Sequence, residues 1–254
     1  MKKNAAAELA PATVSEADGV RYLHLGTPWV QGAMRLKKPA AIELEYVQRM
    51  MVWMLLRPTP QVARGHAVQL GLGAAAITRF CHGVMKMKTT AVELNPTVIG
   101  VCRAFFRLPE DGARLAVLAM DASAYVSAAE HAGSADVLCI DLYDHDAASP
   151  VLDSAAFYRD CARLLADDGV MTVNLFGRDA SFERSAARIV AAFPHGSLLS
   201  LRPTREGNTI VAAVKRGALP DREELSARAQ QVETRFGLPA RKWLRMMRAL
   251  PETE

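Results

Sequence analysis

The chain has 254 residues, with 31 Lys and Arg against 27 Asp and Glu, a formal net charge of +4. Half of its residues are hydrophobic and 23% are charged, which is enough apolar surface to offset ordering entropy and excludes a disordered chain. No apolar run approaches the roughly 18–20 residues that span a bilayer, and Glu8, Glu16 and Asp18 interrupt the opening segment too often for a secretory signal.

Residues 1–19 read as a flexible, Ala-rich leader. Two short extended runs then flank Gly26-Thr27-Pro28, the pattern of a hairpin. Pro39 opens a helical stretch in which Leu44, Val47, Met50, Met51, Met54 and Leu55 recur at three- and four-residue spacing. Those methionines follow the apolar stripe and read as core filler. Pro58 and Pro60 end that helix, so 20–60 is expected to be a small N-terminal unit of hairpin and helix.

From His66 the pattern alternates between apolar strands and helices, with strands in HAVQLGLG, TTAVELN, RLAVLAMDA, ADVLCIDLYD and GVMTVNLF. After the helix SFERSAARIVAAF, the runs SLLSLRP and NTIVAAVKR are too close for a helical crossover and are expected to pair antiparallel. The fold class is therefore α/β, a Rossmann-like sheet of seven mostly parallel strands with helices on both faces. Residues 61–217 would form this body, and 218–254 two C-terminal helices. The tail carries Arg235, Arg241, Lys242, Arg245 and Arg248, but Trp243, Leu244, Met247 and Leu250 give it the spacing of an amphipathic helix docked on the body or on a second subunit. Nucleic-acid binding is accordingly not expected, nor is a membrane.

Cys81, Cys102, Cys139 and Cys161 show no CxxC or CxxH spacing, and none of the six histidines falls at a ligand interval, so no metal is expected. Reduced cysteines suit a cytoplasmic protein.

In an open parallel sheet, ligands bind beyond the carboxyl ends of the strands. Gly71 and Gly73 follow the first strand of the body, where a tight turn lets backbone approach a ligand, and Ala74-Ala75-Ala76 keep the helix entrance open. Glu93 ends the next strand 22 residues after Gly71, close to the interval at which an acid accepts both hydroxyls of a ribose. Asp121-Ala122 follow the third strand; Asp121 is placed either to accept from an adenine amino group or to cap the helix after it. Asp141 and Asp144 follow the wholly apolar fourth strand, where reacting atoms would be presented. Glu93, Asp121 and Asp141 are expected to end three neighbouring strands and to converge on one cleft.

These stretches resemble the spermidine synthase (polyamine aminopropyltransferase) family, which shares the class I AdoMet-dependent methyltransferase fold. The resemblance rests on Gln31-Gly-Ala-Met, Tyr46 with Met50-Met51, QLGLGAAAITRF, TAVELNP, MDASAY, ADVLCIDLYD and FYRDCARLLADDGVMTVNL, over about residues 20–215. It implies transfer of an aminopropyl group from decarboxylated AdoMet to a di- or polyamine. In it Asp141 would deprotonate the amine, Asp144 would hold the diamine, and Tyr46 and Gln31 would contact the substrate. Glu93 would take the ribose and Asp121 the adenine. A homodimer is expected. The family's loop usually reads GGGDGG, and its Asp, which contacts the donor's ammonium, is Ala74 here. That departure leaves two alternatives open: a small-molecule methyltransferase using AdoMet itself, and a non-catalytic nucleoside-binding relative.

Overall fold

A computed structural model describes residues 9–142, 150–176 and 180–250. Strands β1 (Ala12–Ala17), β2 (Val20–Leu25) and β3 (Gly32–Arg35) form an antiparallel sheet in that order. Residues 12–17, expected to be flexible, are thus a strand, paired with β2 from Ala12 opposite Leu25 to Ala17 opposite Val20. The turn between them is Asp18-Gly19, with φ at 51° and 73°, the left-handed pair that matches the twist of a two-residue hairpin.

The helical stretch that follows is broken into Glu45–Met50 and Trp53–Leu56, and both pieces are rich in fully buried side chains. The main sheet comprises β4 (His66–Leu70), β5 (Lys88–Glu93), β6 (Leu115–Ala119), β7 (Ala135–Ile140), β8 (Leu165–Phe176), β9 (Ser197–Leu201), β10 (Asn208–Val214) and β11 (Met247–Ala249). Their spatial order is β11-β9-β10-β8-β7-β4-β5-β6. β4 to β8 run parallel, and β10 is antiparallel to both β8 and β9. All seven expected strands are present, and the described residues add an eighth. Both expected C-terminal helices are present, Arg222–Phe236 and the shorter Ala240–Leu244; Met247–Ala249 then form a strand that pairs with the open edge of β9.

Each face of the sheet buries its own layer, as continuous apolar strands require. On one, Met50, Met51, Trp53, Leu55, Ala229, Val232 and Trp243 pack with Cys139, Ile210 and Ala212. On the other, Tyr125, Phe157, Tyr158, Cys161 and Ile189 pack with Val68, Leu138, Met171 and Val211. The small N-terminal sheet docks through Leu23 and Met34 onto Ala74, Val98, Cys102 and Phe106, so β3 lies against the turn that follows β4.

An ion pair between a buried arginine and a partly buried aspartate ties the first layer to the sheet. Arg57, 2% exposed, donates to the backbone carbonyl of Asp136 at 2.8 Å and to its carboxylate at 3.2 Å. The other carboxylate oxygen accepts the His66 N–H at 2.7 Å, which pins the entry of β4 beside β7. Removing the acid strands the guanidinium, and breaking one side of a buried pair is destabilising by about 3–5 kcal/mol. Asp136→Ala is expected to lower the free energy of unfolding by about 3 kcal/mol. Urea denaturation checks this through a lower midpoint at an unchanged slope.

Candidate active site

The strand order reverses at β4, which lies between β5 and β7, and the crevice outside its carboxyl end is where ligands enter such sheets. The turn leaving β4 is held in an unusual shape. Gly71 has φ +82°, and a Cβ there would lie 2.0 Å from the carbonyl oxygen of Asp141, so any larger residue would push β7 away. The Asp141 N–H donates to Leu70 O at 2.8 Å and the Gly71 N–H to Val92 O at 2.8 Å, which locks the ends of β7, β4 and β5 together. Gly32 of β3 abuts the same turn: a Cβ on it would lie 2.5 Å from the Ala74 Cβ.

Buried side chains brace the turn from below. Gln69 Nε2 donates to the carbonyls of Gly71 at 2.7 Å and Leu72 at 3.2 Å, and its Oε1 accepts from Thr78 at 2.6 Å. Arg79 donates to the carbonyls of Ala74, Phe106 and Pro39. Burial lowers its pKa to about 10, still well above neutrality, so it stays a cation under the turn. Cys102 donates its S–H to Gly73 O, and burial pushes its thiol up to about 12, which leaves it an inert packing group.

Glu93 joins the turn to the next helix, Pro96–Phe105. One carboxylate oxygen accepts the Leu72 N–H at 2.8 Å and the other the Asn95 N–H at 2.9 Å, and the Leu94 backbone N–H adds to them. Burial raises its pKa against these three backbone hydrogen bonds, and the negative charge of Asp141 adds to the rise.

Asp141 sits at the mouth of β7. Its Oδ1 accepts from Asn174 Nδ2 at 2.9 Å and its Oδ2 from the Tyr46 hydroxyl at 3.1 Å. Burial holds its pKa above the ordinary carboxylate range, and the two hydrogen bonds oppose that rise. A carboxylate kept more basic than usual yet clamped in one orientation is suited to accept a proton from a bound donor.

A narrow cleft opens beside it, lined by Gln31, Tyr46, Gly73 and Asp141 together with Gln69, Ala74 and the apolar side chains Leu44, Val47 and Ile77. The structure therefore gathers Gln31, Tyr46, Gly73 and Asp141 on one cavity, with Gly71 and Glu93 bracing its wall. It does not gather all the acids. Asp141 and Glu93 end strands on opposite sides of β4 instead of adjacent ones, and Asp121 ends the region beyond β6, one strand farther out. Asp121 is exposed and caps the helix Ala122–Ser127, its Oδ1 accepting the Ala124 N–H at 3.0 Å. Ala122, in the first turn of that helix, is buried. Asp144 lies outside the described residues, as do Tyr143 and His145. Gln69, Asn174, Gly32 and Arg79 were not singled out in the sequence; the first two announce themselves only as lone amides inside otherwise apolar strands. Among the described residues, no three His, Cys, Asp or Glu side chains group as metal ligands.

Residues 73–187 match the spermine/spermidine synthase domain. The polyamine aminopropyltransferase of Chromobacterium violaceum is 33% identical over 227 residues, covering 89% of this chain and 84% of that protein. The chain belongs to the polyamine aminopropyltransferase family. A probable spermidine synthase from Corynebacterium glutamicum shares the aminopropyltransferase fold with a TM-score of 0.73 at 18% identity, over 95% of this chain and 87% of its own. A spermidine synthase in complex with the transition-state analogue AdoDATO aligns with a TM-score of 0.64 at 17% identity, over 95% of this chain and 86% of that one.

The raised pKa of Asp141 has a stability consequence with a definite sign. A carboxyl whose folded pKa is raised contributes most below the unfolded value of about 4, and that contribution is lost as pH rises through the folded pKa. Asp141→Asn, which does not titrate, is therefore expected to gain thermal stability relative to the parent between pH 4 and pH 8. Melting temperatures across that range check it, and a difference that is flat with pH would contradict it.

Proposed function

We propose that this protein transfers an aminopropyl group from decarboxylated AdoMet to a diamine or polyamine, with Asp141 as the general base. The observation that carries the reading is the half-buried Asp141 carboxylate, clamped by Tyr46 and Asn174 at the cleft where the strand order reverses. When bound, the donor supplies a sulfonium-activated carbon that an amine displaces from sulfur. An ammonium has no lone pair, so the amine must first lose a proton, and Asp141 is the group in the described cleft lining able to take it. The remaining acceleration comes from positioning: Tyr46 and Gln31 face the same cavity and would orient the amine, with Asp144 holding its far cation.

The donor's nucleoside would rest on the turn at Gly71 and Gly73. Glu93 suits the ribose, because its carboxylate is fixed by backbone N–H groups at the end of β5, beside the turn. Asp121 and Ala122 would meet the adenine, although Asp121 shares one oxygen with its helix cap. The analogue bound by the structurally similar spermidine synthase supports an AdoMet-related ligand for this chain. The sequence-based expectation of a cytoplasmic homodimer goes with this reading. It is supported on the cytoplasmic side by four buried, free cysteines, and no described helix is long and apolar enough to cross a membrane.

Ala74 favours a second reading. Among the described residues that line the cleft, Asp141 is the one carboxylate, so no second described carboxylate greets a cationic donor tail. A methyltransferase using AdoMet itself would use the same scaffold. Calorimetry separates the two: tight methylthioadenosine binding is expected here, whereas binding of S-adenosylhomocysteine alone would favour methyl transfer.

Asp141→Asn tests the base. Turnover with putrescine is expected to fall by about 10²–10⁴-fold, the usual share of general-base catalysis, while methylthioadenosine affinity stays within about threefold. Unchanged turnover would remove Asp141 from the role.

A further inference from the structure

A row of buried polar groups runs away from Asp141 through the sheet. Asp141 follows β7, Asn174 lies in β8 and Asn208 opens β10, with Thr204 in the turn between β9 and β10. Register places them on one face: Ile140 of β7 is opposite Val173, which aligns Asp141 with Asn174, and Asn208 stands opposite Phe176, two residues along the same face. Asn174, Asn208 and Thr204 are 2%, 8% and 6% exposed, so they are amides and a hydroxyl set in an apolar layer.

The hydrogen bonds all point one way. Thr204 Oγ1 donates to Asn208 Oδ1 at 3.4 Å, Asn208 Nδ2 donates to Asn174 Oδ1 at 3.2 Å, and Asn174 Nδ2 donates to Asp141 Oδ1 at 2.9 Å. An amide can be turned over, and turned over it would present an oxygen to the carboxylate. The far end of this row opposes that reversal. The Asn208 backbone N–H donates to Thr204 Oγ1 at 3.2 Å, while the Thr204 N–H donates to the Asn208 carbonyl at 2.8 Å. The hydroxyl oxygen is thus already an acceptor of a backbone group, which leaves its proton for Asn208 Oδ1 across a long 3.4 Å contact. A closed backbone turn sets the first dipole, and each amide passes the direction on.

Apolar side chains of the same size could fill these positions without any polar group to satisfy, and packing alone gives no reason for a polarised row. We propose that Thr204 and Asn208 are positioning residues for the reaction: acting through Asn174, they hold an N–H on Asp141 Oδ1 and keep the carboxylate aimed at the cleft. This inference rests on Asp141 being the base. Among the described residues, four groups bear on that carboxylate from the elements packed around it. Tyr46, from the helix Glu45–Met50, bonds Oδ2, and Asn174 of β8 bonds Oδ1. Glu93 at the end of β5 repels it, and Cys139 lies two residues earlier in β7. Weakening the row takes stabilisation from the charged form only, so the carboxyl should hold its proton to a higher pH.

Thr204→Val keeps the shape and removes the hydroxyl, and Thr204→Ser restores it; Asn208→Ala removes the middle link by a separate route. The direct readout is the 13C chemical shift of the Asp141 carboxyl in 13C-Asp-labelled protein, assigned by its loss in Asp141→Asn. The titration midpoint is expected to rise by about half to one pH unit in Thr204→Val and Asn208→Ala, and to stay at the parent value in Thr204→Ser. In turnover, kcat/KM should fall by about three- to tenfold below the midpoint and converge with the parent on the alkaline side. A midpoint unmoved in both variants, or a loss of equal size at every pH, would overturn the proposal. The carboxyl titration needs no turnover, so a parent protein inactive with every donor would refute the catalytic reading while the positioning result still stands or falls by itself.

Discussion

Everything at the candidate site depends on one close approach of backbone to backbone. The turn that leaves β4 passes so near the end of β7 that only hydrogen fits at Gly71, where a Cβ would stand 2.0 Å from the Asp141 carbonyl. That contact, closed by the Asp141 N–H on Leu70, brings a carboxylate to the point where the strand order reverses. Without it, the acid at the end of an apolar strand would be a solvated loop residue with an ordinary pKa. With it, the side chain faces a cleft, and the walls of that cleft are set by the same turn. Gly32 from the small N-terminal sheet is pressed against Ala74, and Gln69, Arg79 and Cys102 hold the turn's carbonyls from beneath.

The electrostatic consequence is a tension between desolvation and hydrogen bonding. Burial alone drives both Asp141 and Glu93 toward their neutral forms, and their mutual repulsion works in the same direction for Glu93. Two donors on Asp141 and three backbone N–H groups on Glu93 pull back. The balance leaves each acid more basic than in water yet fixed in direction. Such a site is maintained at some expense to stability, which is the usual position of catalytic carboxylates. It also accounts for a chain of net positive charge whose proposed ligands are cations: the charge that matters is local, set by two acids at the crevice, and the basic excess lies elsewhere.

The fold was legible in the sequence wherever a run of apolar residues was long enough to have no other destination than the middle of a sheet. All seven such runs are strands. Two features were missed for different reasons. Asp18-Gly19 is a strong hairpin signal, yet β1 before it has an exposed, polar pattern that carries little periodicity, so the segment read as a leader. Met247-Arg248-Ala249 is too short for any period, and it is a strand because β9 offers an unpaired edge. At the site, Gly71, Glu93 and Asp141 were legible because strand ends concentrate ligand contacts. Asp121 satisfied the same pattern while capping a helix, because Asp after a strand serves either purpose. Gln69, Asn174 and Asn208 were invisible: each is one amide inside an apolar strand, and only the register between strands lines them up beside Asp141.

The central claim is that Asp141 and its cleft move an aminopropyl group to an amine. The most direct measurement is mass spectrometry of the products formed with putrescine and other amines, with decarboxylated AdoMet and AdoMet supplied in parallel. The account predicts an aminopropylated amine and methylthioadenosine from decarboxylated AdoMet, with no turnover of AdoMet. A methylated product with S-adenosylhomocysteine, or no product from either donor despite measurable nucleoside binding, would contradict it.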